Sequence, residues 1–151
     1  MPHSPLSITA LDRLLEVTTL LGDDMSAALG DMGLTPARTH LLWEVGRRGP
    51  VTQRVLADAL DVSPRNVTGL VDALVEAGFV ERQPHPDDRR AFLVSLTAQG
   101  ATTYAALQDG HVTLAEQLFG DVAQRDLESL VTGLDHVVAR LHRLIEEASH
   151  D

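Results

Sequence analysis

Apolar residues recur at three- and four-residue intervals through most of this chain. Over residues 6–32 they fall at Ile8, Leu11, Leu14, Leu15, Leu21, Met25, Ala28, Leu29 and Met32, with Thr18 on the same stripe. Over 97–119 they are Ala101, Tyr104, Ala105, Val112, Ala115, Leu118 and Phe119. Over 124–148 they are Leu127, Leu130, Val131, Leu134, Val137, Val138, Leu141, Leu144 and Ile145. This is the period of a helix with one apolar face. Each of these predicted helices is roughly 33–40 Å long at 1.5 Å per residue. Three such stripes cannot easily be covered by one small domain, so a second copy of the chain is the expected cover. Residues 1–34 and 98–151 are therefore read as a helical dimerisation region.

The middle, residues 35–97, is built of shorter pieces. Thr35-Pro36 predicts a helix start, with Thr as cap and Pro at the first helical position. That helix should bury Leu41, Leu42 and Val45 and end at Gly46 or Gly49-Pro50. Thr52 predicts the cap of a short helix through Leu60, carrying Val55, Leu56, Ala59 and Leu60. After a turn at Asp61-Val62, Ser63 caps and Pro64 begins a third helix, which runs to about Ala77. Its inner face is Val67, Leu70, Val71 and Leu74, and Gly78 supplies a left-handed stop. Two β-type runs follow, Phe79–Gln83 and Ala91–Leu96, around the charged, proline-rich turn Pro84–Arg90. Thr97 caps the next helix.

Helix, short helix, tight turn, helix, hairpin is the order of a winged helix-turn-helix. The expected fold is thus mainly α with a small β-hairpin wing, plus long dimerisation helices. A helix of 14 residues is about 21 Å long and fits a DNA major groove. With its apolar face turned inward, Ser63, Arg65, Asn66 and Thr68 face outward. Arginine can pair with guanine and asparagine with adenine, while Ser and Thr can reach bases or phosphates. Gly69 would allow close backbone approach. Asp72 and Glu76 would repel phosphate, so the N-terminal half should enter the groove. Arg89 and Arg90 on the hairpin tip suit the narrow minor groove, with Asp88 expected to brace Arg90.

Charge sharpens this division. The 151 residues carry 12 arginines, no lysine, and 22 acids, for a net charge of −10. Residues 36–100 hold eight arginines and eight acids, so the whole negative excess lies outside the middle segment. A polyanion should meet the middle of the chain. With no cysteine there is no disulfide, thiolate nucleophile or cysteine-based zinc site. G-x-S-x-G, H-E-x-x-H, P-loop and G-x-G-x-x-G patterns are missing, so neither catalysis nor a cofactor is expected. No apolar run is long enough for a membrane span, and the N-terminus lacks a signal-peptide pattern, which suggests the cytoplasm.

The residues from Ser63 to Arg82 that carry this pattern are Ser63, Pro64, Arg65, Val67, Thr68, Leu70, Val71, Leu74, Gly78, Phe79, Val80 and Arg82. They are followed by Pro86, Asp88, Arg89, Arg90, Val94, Leu96, Thr97 and Gly100. Together they resemble the MarR family of bacterial transcriptional regulators, as do Leu34-Thr35-Pro36 and Leu56-Ala57-Asp58-Ala59-Leu60. The resemblance implies a homodimer that binds a pseudo-palindromic double-stranded DNA operator, expected to act as a repressor and to be released by a small-molecule effector. The family's wing usually carries Asp-Pro-x-Asp-Arg-Arg. Here the first Asp is His85, which removes the acid that would make a local turn hydrogen bond.

Two alternatives stand beside this reading. One is a winged helix used only for protein contacts, against which the exposed Arg65, Asn66, Arg89 and Arg90 argue. The other is a metal-sensing repressor. Seven histidines (His3, His40, His85, His111, His136, His142 and His150) include no pair at i, i+4 spacing. His40 and His111, with Trp43, are candidates for a ligand pocket where the DNA-binding and dimer regions join. For each of them a packed side chain is the simpler reading, and no metal site is assigned.

Overall fold

The computed structural model describes residues 4–149. His3, His150 and the outermost ends of the expected dimerisation region lie outside them. The element order is α1 (Pro5–Asp31), α2 (Pro36–Arg48), β1 (Val51–Thr52), α3 (Gln53–Leu60), α4 (Pro64–Glu76), β2 (Val80–Pro84), β3 (Phe92–Leu96), α5 (Ala98–Phe119) and α6 (Gln124–Ala148). The chain divides into two compact units, with the boundary inside α5 between Ala106 and Leu107.

The first unit contains the winged helix. Its helix starts follow the capping chemistry read from the sequence. Thr35, Thr52 and Ser63 each accept a main-chain N–H three residues on, from Arg38, Val55 and Asn66. Thr97 does the same for Gly100 at 3.0 Å. These oxygens satisfy donors that the first helical turn leaves without an intrahelical partner. At the other end of α4, Gly78 adopts φ +85°, the left-handed stop that favours glycine. Asp61 turns the chain between α3 and α4 at φ 52°, an αL cap tolerated by Asp.

The core packs α2, α3 and α4 on a three-stranded antiparallel sheet of order β1-β3-β2. Leu41, Leu42, Val45, Leu56, Val67, Val71, Leu74, Val80 and Val94 are fully buried. Strand β1 was not anticipated. It pairs Val51 with Val94 and Thr52 with Leu93, so it exists through a partner about 40 residues away in the chain. Val55 is 40% exposed rather than inward, because Leu56 and Ala57 take the buried positions of α3.

Gly46 does not end α2. The helix continues through it to Arg48, and Gly49 ends it at φ +75°. A Cβ on Gly46 would sit 2.5 Å from the Tyr104 ring, so this glycine admits an aromatic side chain rather than a turn. That ring meets Trp43 edge-on at 5.4 Å. Gly100 is tighter still, since any Cβ there would overlap the carbonyl oxygen of Phe79. Thr97 donates to the Gly78 carbonyl at 2.6 Å and its backbone N–H reaches Phe79 O at 3.1 Å. The start of α5 is therefore clasped to the α4–β2 corner.

Helix α1 buries only Leu29, while Leu6, Ile8, Leu11, Leu15, Leu20 and Met25 are exposed. In the second unit, α6 buries nothing. Its stripe of Leu130, Val131, Leu134, Val138, Leu141, Leu144 and Ile145 is open. Among the described residues, no helix is long and apolar enough to cross a membrane.

Candidate nucleic-acid interface

Helix α4 turns Val67, Val71 and Leu74 to the core and leaves Ser63, Pro64, Arg65, Asn66, Thr68 and Gly69 exposed. All six residues named from the sequence are thus on one outward surface. Ser63 Oγ is engaged as the cap, accepting from Asn66 N at 3.1 Å, and its hydroxyl proton stays available to donate. Gly69 has open space where a Cβ would be, so the backbone can be approached there.

Thr68 is more committed than its sequence position suggested. Its hydroxyl donates to Pro64 O at 2.9 Å and accepts from Gln53 Nε2 at 3.1 Å. The methyl group remains as its free contact, suited to a thymine methyl. Gln53 Oε1 in turn accepts from Arg82 Nε at 3.0 Å, and Arg82 Nη2 reaches Asp72 Oδ1 at 2.5 Å. This network ties three elements together: Gln53 opens α3, Thr68 and Asp72 lie on α4, and Arg82 lies on β2. It fixes α4 against its neighbours and neutralises Asp72, whose charge would otherwise oppose phosphate. No local pattern marks Gln53 and Arg82 as site residues. They are 29 residues apart and share no local spacing rule.

The hairpin tip is organised by side-chain acceptors. Asp88 Oδ1 accepts the backbone N–H of Arg90 at 2.9 Å. The expected brace therefore grips the main chain instead of the guanidinium. Arg89 and Arg90 are exposed, and among the described residues neither forms an ion pair. His85, half-buried at the foot of the turn, accepts at Nδ1 from both Asp87 N and Asp88 N, each at 3.1 Å. The imidazole thus occupies the acceptor role that an acid at this position would take.

At the far end of α2, Glu44 is buried and its carboxylate accepts from Arg47 at 2.9 Å and Arg48 at 2.8 Å. Burial pushes its carboxyl up, but Arg48 and then Arg47 outweigh that and hold it below the usual range. Of the suggested pocket residues, His40 is exposed and Trp43 half-buried on α2, whereas His111 lies on the part of α5 that belongs to the second unit. An open cleft of about 410 Å³ lies elsewhere, between α3 and α4, lined in part by Arg54, Asp58, Pro64 and Val67. Among the described residues no cluster of three or more His, Asp or Glu is placed to hold a metal ion.

An exposed helix face rich in hydrogen-bonding groups, locked to a hairpin that ends in two exposed arginines, defines a winged helix-turn-helix DNA-binding protein. The MarR family model matches residues 34–92. The chain is 27% identical over 135 residues to the multiple antibiotic resistance protein MarR of Escherichia coli K12, covering 89% of this chain and 92% of that one. It is 31% identical over 98 residues to MarR of Salmonella typhimurium, covering 62% of this chain and 68% of the relative. Among solved structures, Streptococcus pneumoniae FabT in complex with DNA aligns with a TM-score of 0.85 at 18% identity, over 91% of this chain and 99% of that one. This chain belongs to the MarR family, and it is a DNA-binding transcriptional regulator.

Proposed function

We propose that the protein is a cytoplasmic homodimeric repressor that reads a pseudo-palindromic operator. The observation that carries this reading is the outward face of α4: Arg65 and Asn66 are exposed at the N-terminal end of a helix whose opposite side is buried. In this reading Ser63, Pro64, Arg65, Asn66, Thr68 and Gly69 enter the major groove, and Arg89 and Arg90, shaped by Asp88, enter the minor groove. Residues 35–97 do the reading. Residues 1–34 and 98–151 supply the dimer, because the open leucine-rich faces of α1 and α6 are too extensive to leave in water. The dimer interface should exceed about 2,000 Å² in total. A small-molecule effector that releases DNA completes the reading.

Selection of bound DNA from a random pool tests this. The expected product is an inverted repeat whose half-sites are about one helical turn apart, 10–10.5 bp centre to centre. Recovery of no enriched sequence, with salt-insensitive association, would favour a module for protein contacts instead.

A further inference from the structure

We propose that His85 is a positioning residue of the wing, and that it makes DNA binding weaken as pH falls. The inference rests on the reading that the wing touches DNA. His85 is followed by Pro86, which disfavours helical backbone at the preceding residue, and its own N–H bonds to Ala91 O at 3.2 Å, closing the neck of the turn. From there Nδ1 accepts the N–H groups of both Asp87 and Asp88. Asp88 then accepts the N–H of Arg90 through its side chain and that of Ala91 through its carbonyl, the latter at 3.2 Å. The order of the tip therefore runs from His85 to Asp88 to Arg90.

An imidazole nitrogen accepts only while it is unprotonated. The arrangement requires the neutral tautomer with its proton on Nε2. Protonation converts Nδ1 to a donor facing two other donors, and both bonds are lost. Imidazoles change charge between about pH 5 and 8, whereas the acid that this family's wing usually carries here would remain an acceptor throughout. The other charged groups of the hairpin are Asp87, Asp88, Arg89 and Arg90 in the turn and Glu81 and Arg82 on β2. Strand β3 has none, and from α4 Asp72 is engaged by Arg82.

Two effects oppose each other. A protonated His85 adds a positive charge near phosphate, which favours binding, while loss of the turn disorders Arg89 and Arg90, which disfavours it. The added charge sits half-buried at the foot of the turn, set back from the exposed tip that carries Arg89 and Arg90, and salt weakens its reach to phosphate. Two directed hydrogen bonds together account for about tenfold in affinity per wing, so the second effect should dominate.

The experiment measures operator affinity from pH 7.5 to 5.5 at fixed salt for wild type, His85→Asn, His85→Ala and Arg90→Ala. The asparagine oxygen can cap the same two N–H groups without titrating. His85→Asn should match wild type at pH 7.5 and bind about tenfold more tightly than wild type, per wing, at pH 5.5. His85→Ala should be weak at both ends. In the free full-length protein, ¹⁵N spectra should show a neutral Nε2-protonated His85 at pH 7.5, with the Asp87 and Asp88 amides shifting as it titrates. Parallel pH profiles for wild type and His85→Asn would overturn the proposal, as would wild type gaining on His85→Asn when acidified. If Arg90→Ala also leaves affinity unchanged, the wing does not touch DNA, and it is the underlying reading that fails.

Discussion

Helices α4 and α6 have the same kind of sequence and opposite fates. Both place apolar residues at three- and four-residue spacing. In α4 that stripe is sealed: Val67, Val71 and Leu74 are at most 1% exposed. In α6 the stripe is open, with Leu141 and Ile145 at 51% and 60% exposure. Periodicity therefore identifies which face of a helix is apolar, and only the surrounding chain decides whether that face is already covered. α4 is covered by α2, α3 and the wing, which leaves its other face free for a ligand as large as DNA. α6 is left with an apolar face and no cover from its own unit.

This contrast can be tested by substitution, and the largest effect belongs to the closed region. Leu74→Ala should destabilise the fold by about 3 kcal/mol, since the cavity forms where nothing can collapse into it. Chemical denaturation would measure it, and a loss under about 1 kcal/mol would mean α4 is loosely packed. Gly100→Ala should cost about 2 kcal/mol, because its methyl group meets the Phe79 carbonyl, which is held by Thr97. Leu141→Glu on α6 should change the fold of a single chain little. In the proposed dimer it should reduce the mass in light scattering from that of two chains to that of one, and an unchanged two-chain mass would remove α6 from the proposed interface.

The smallest effect is Glu44→Gln, about 1 kcal/mol at neutral pH, because both arginine partners keep contact with water. The folded Glu44 carboxyl lies below its unfolded value. Its contribution is therefore complete above the ordinary glutamate range and is lost as pH falls through the lowered folded value. Denaturation curves of wild type and variant should thus converge in acid. Curves that remain apart by the same amount at every pH would contradict the pairing.

What was legible in the sequence was local. The caps at Thr35, Thr52, Ser63 and Thr97 each bond within three residues, and Gly78 declares its own φ, so the winged-helix order could be read directly. Distant partnerships could not be. Strand β1 is two residues long and is defined by pairing with β3. Gly46 reads as a helix stop until Tyr104, far along the chain, is seen lying against it. The exposure of the outer face of α4 and of the wing arginines is readable from facing and charge alone. The Gln53–Arg82–Asp72 network is not, because its members converge only once β2 packs beside α4. His85 stands out in the sequence for the acid it replaces, but that its ring nitrogen takes over the acceptor role depends on the shape of the folded turn.

The central claim is that α4 reads bases while the wing adds sequence-independent grip. It is tested most directly by binding of wild type, Arg65→Ala and Arg90→Ala to a panel of single-base operator variants across a salt series. Arg65→Ala should cost about 1–3 kcal/mol on the correct sequence and flatten discrimination at one or two positions per half-site. Arg90→Ala should weaken binding to all sequences alike and lower the salt slope by about 1 per subunit. If both variants bind every member of the panel as wild type does, this face of the molecule is not where the protein meets DNA.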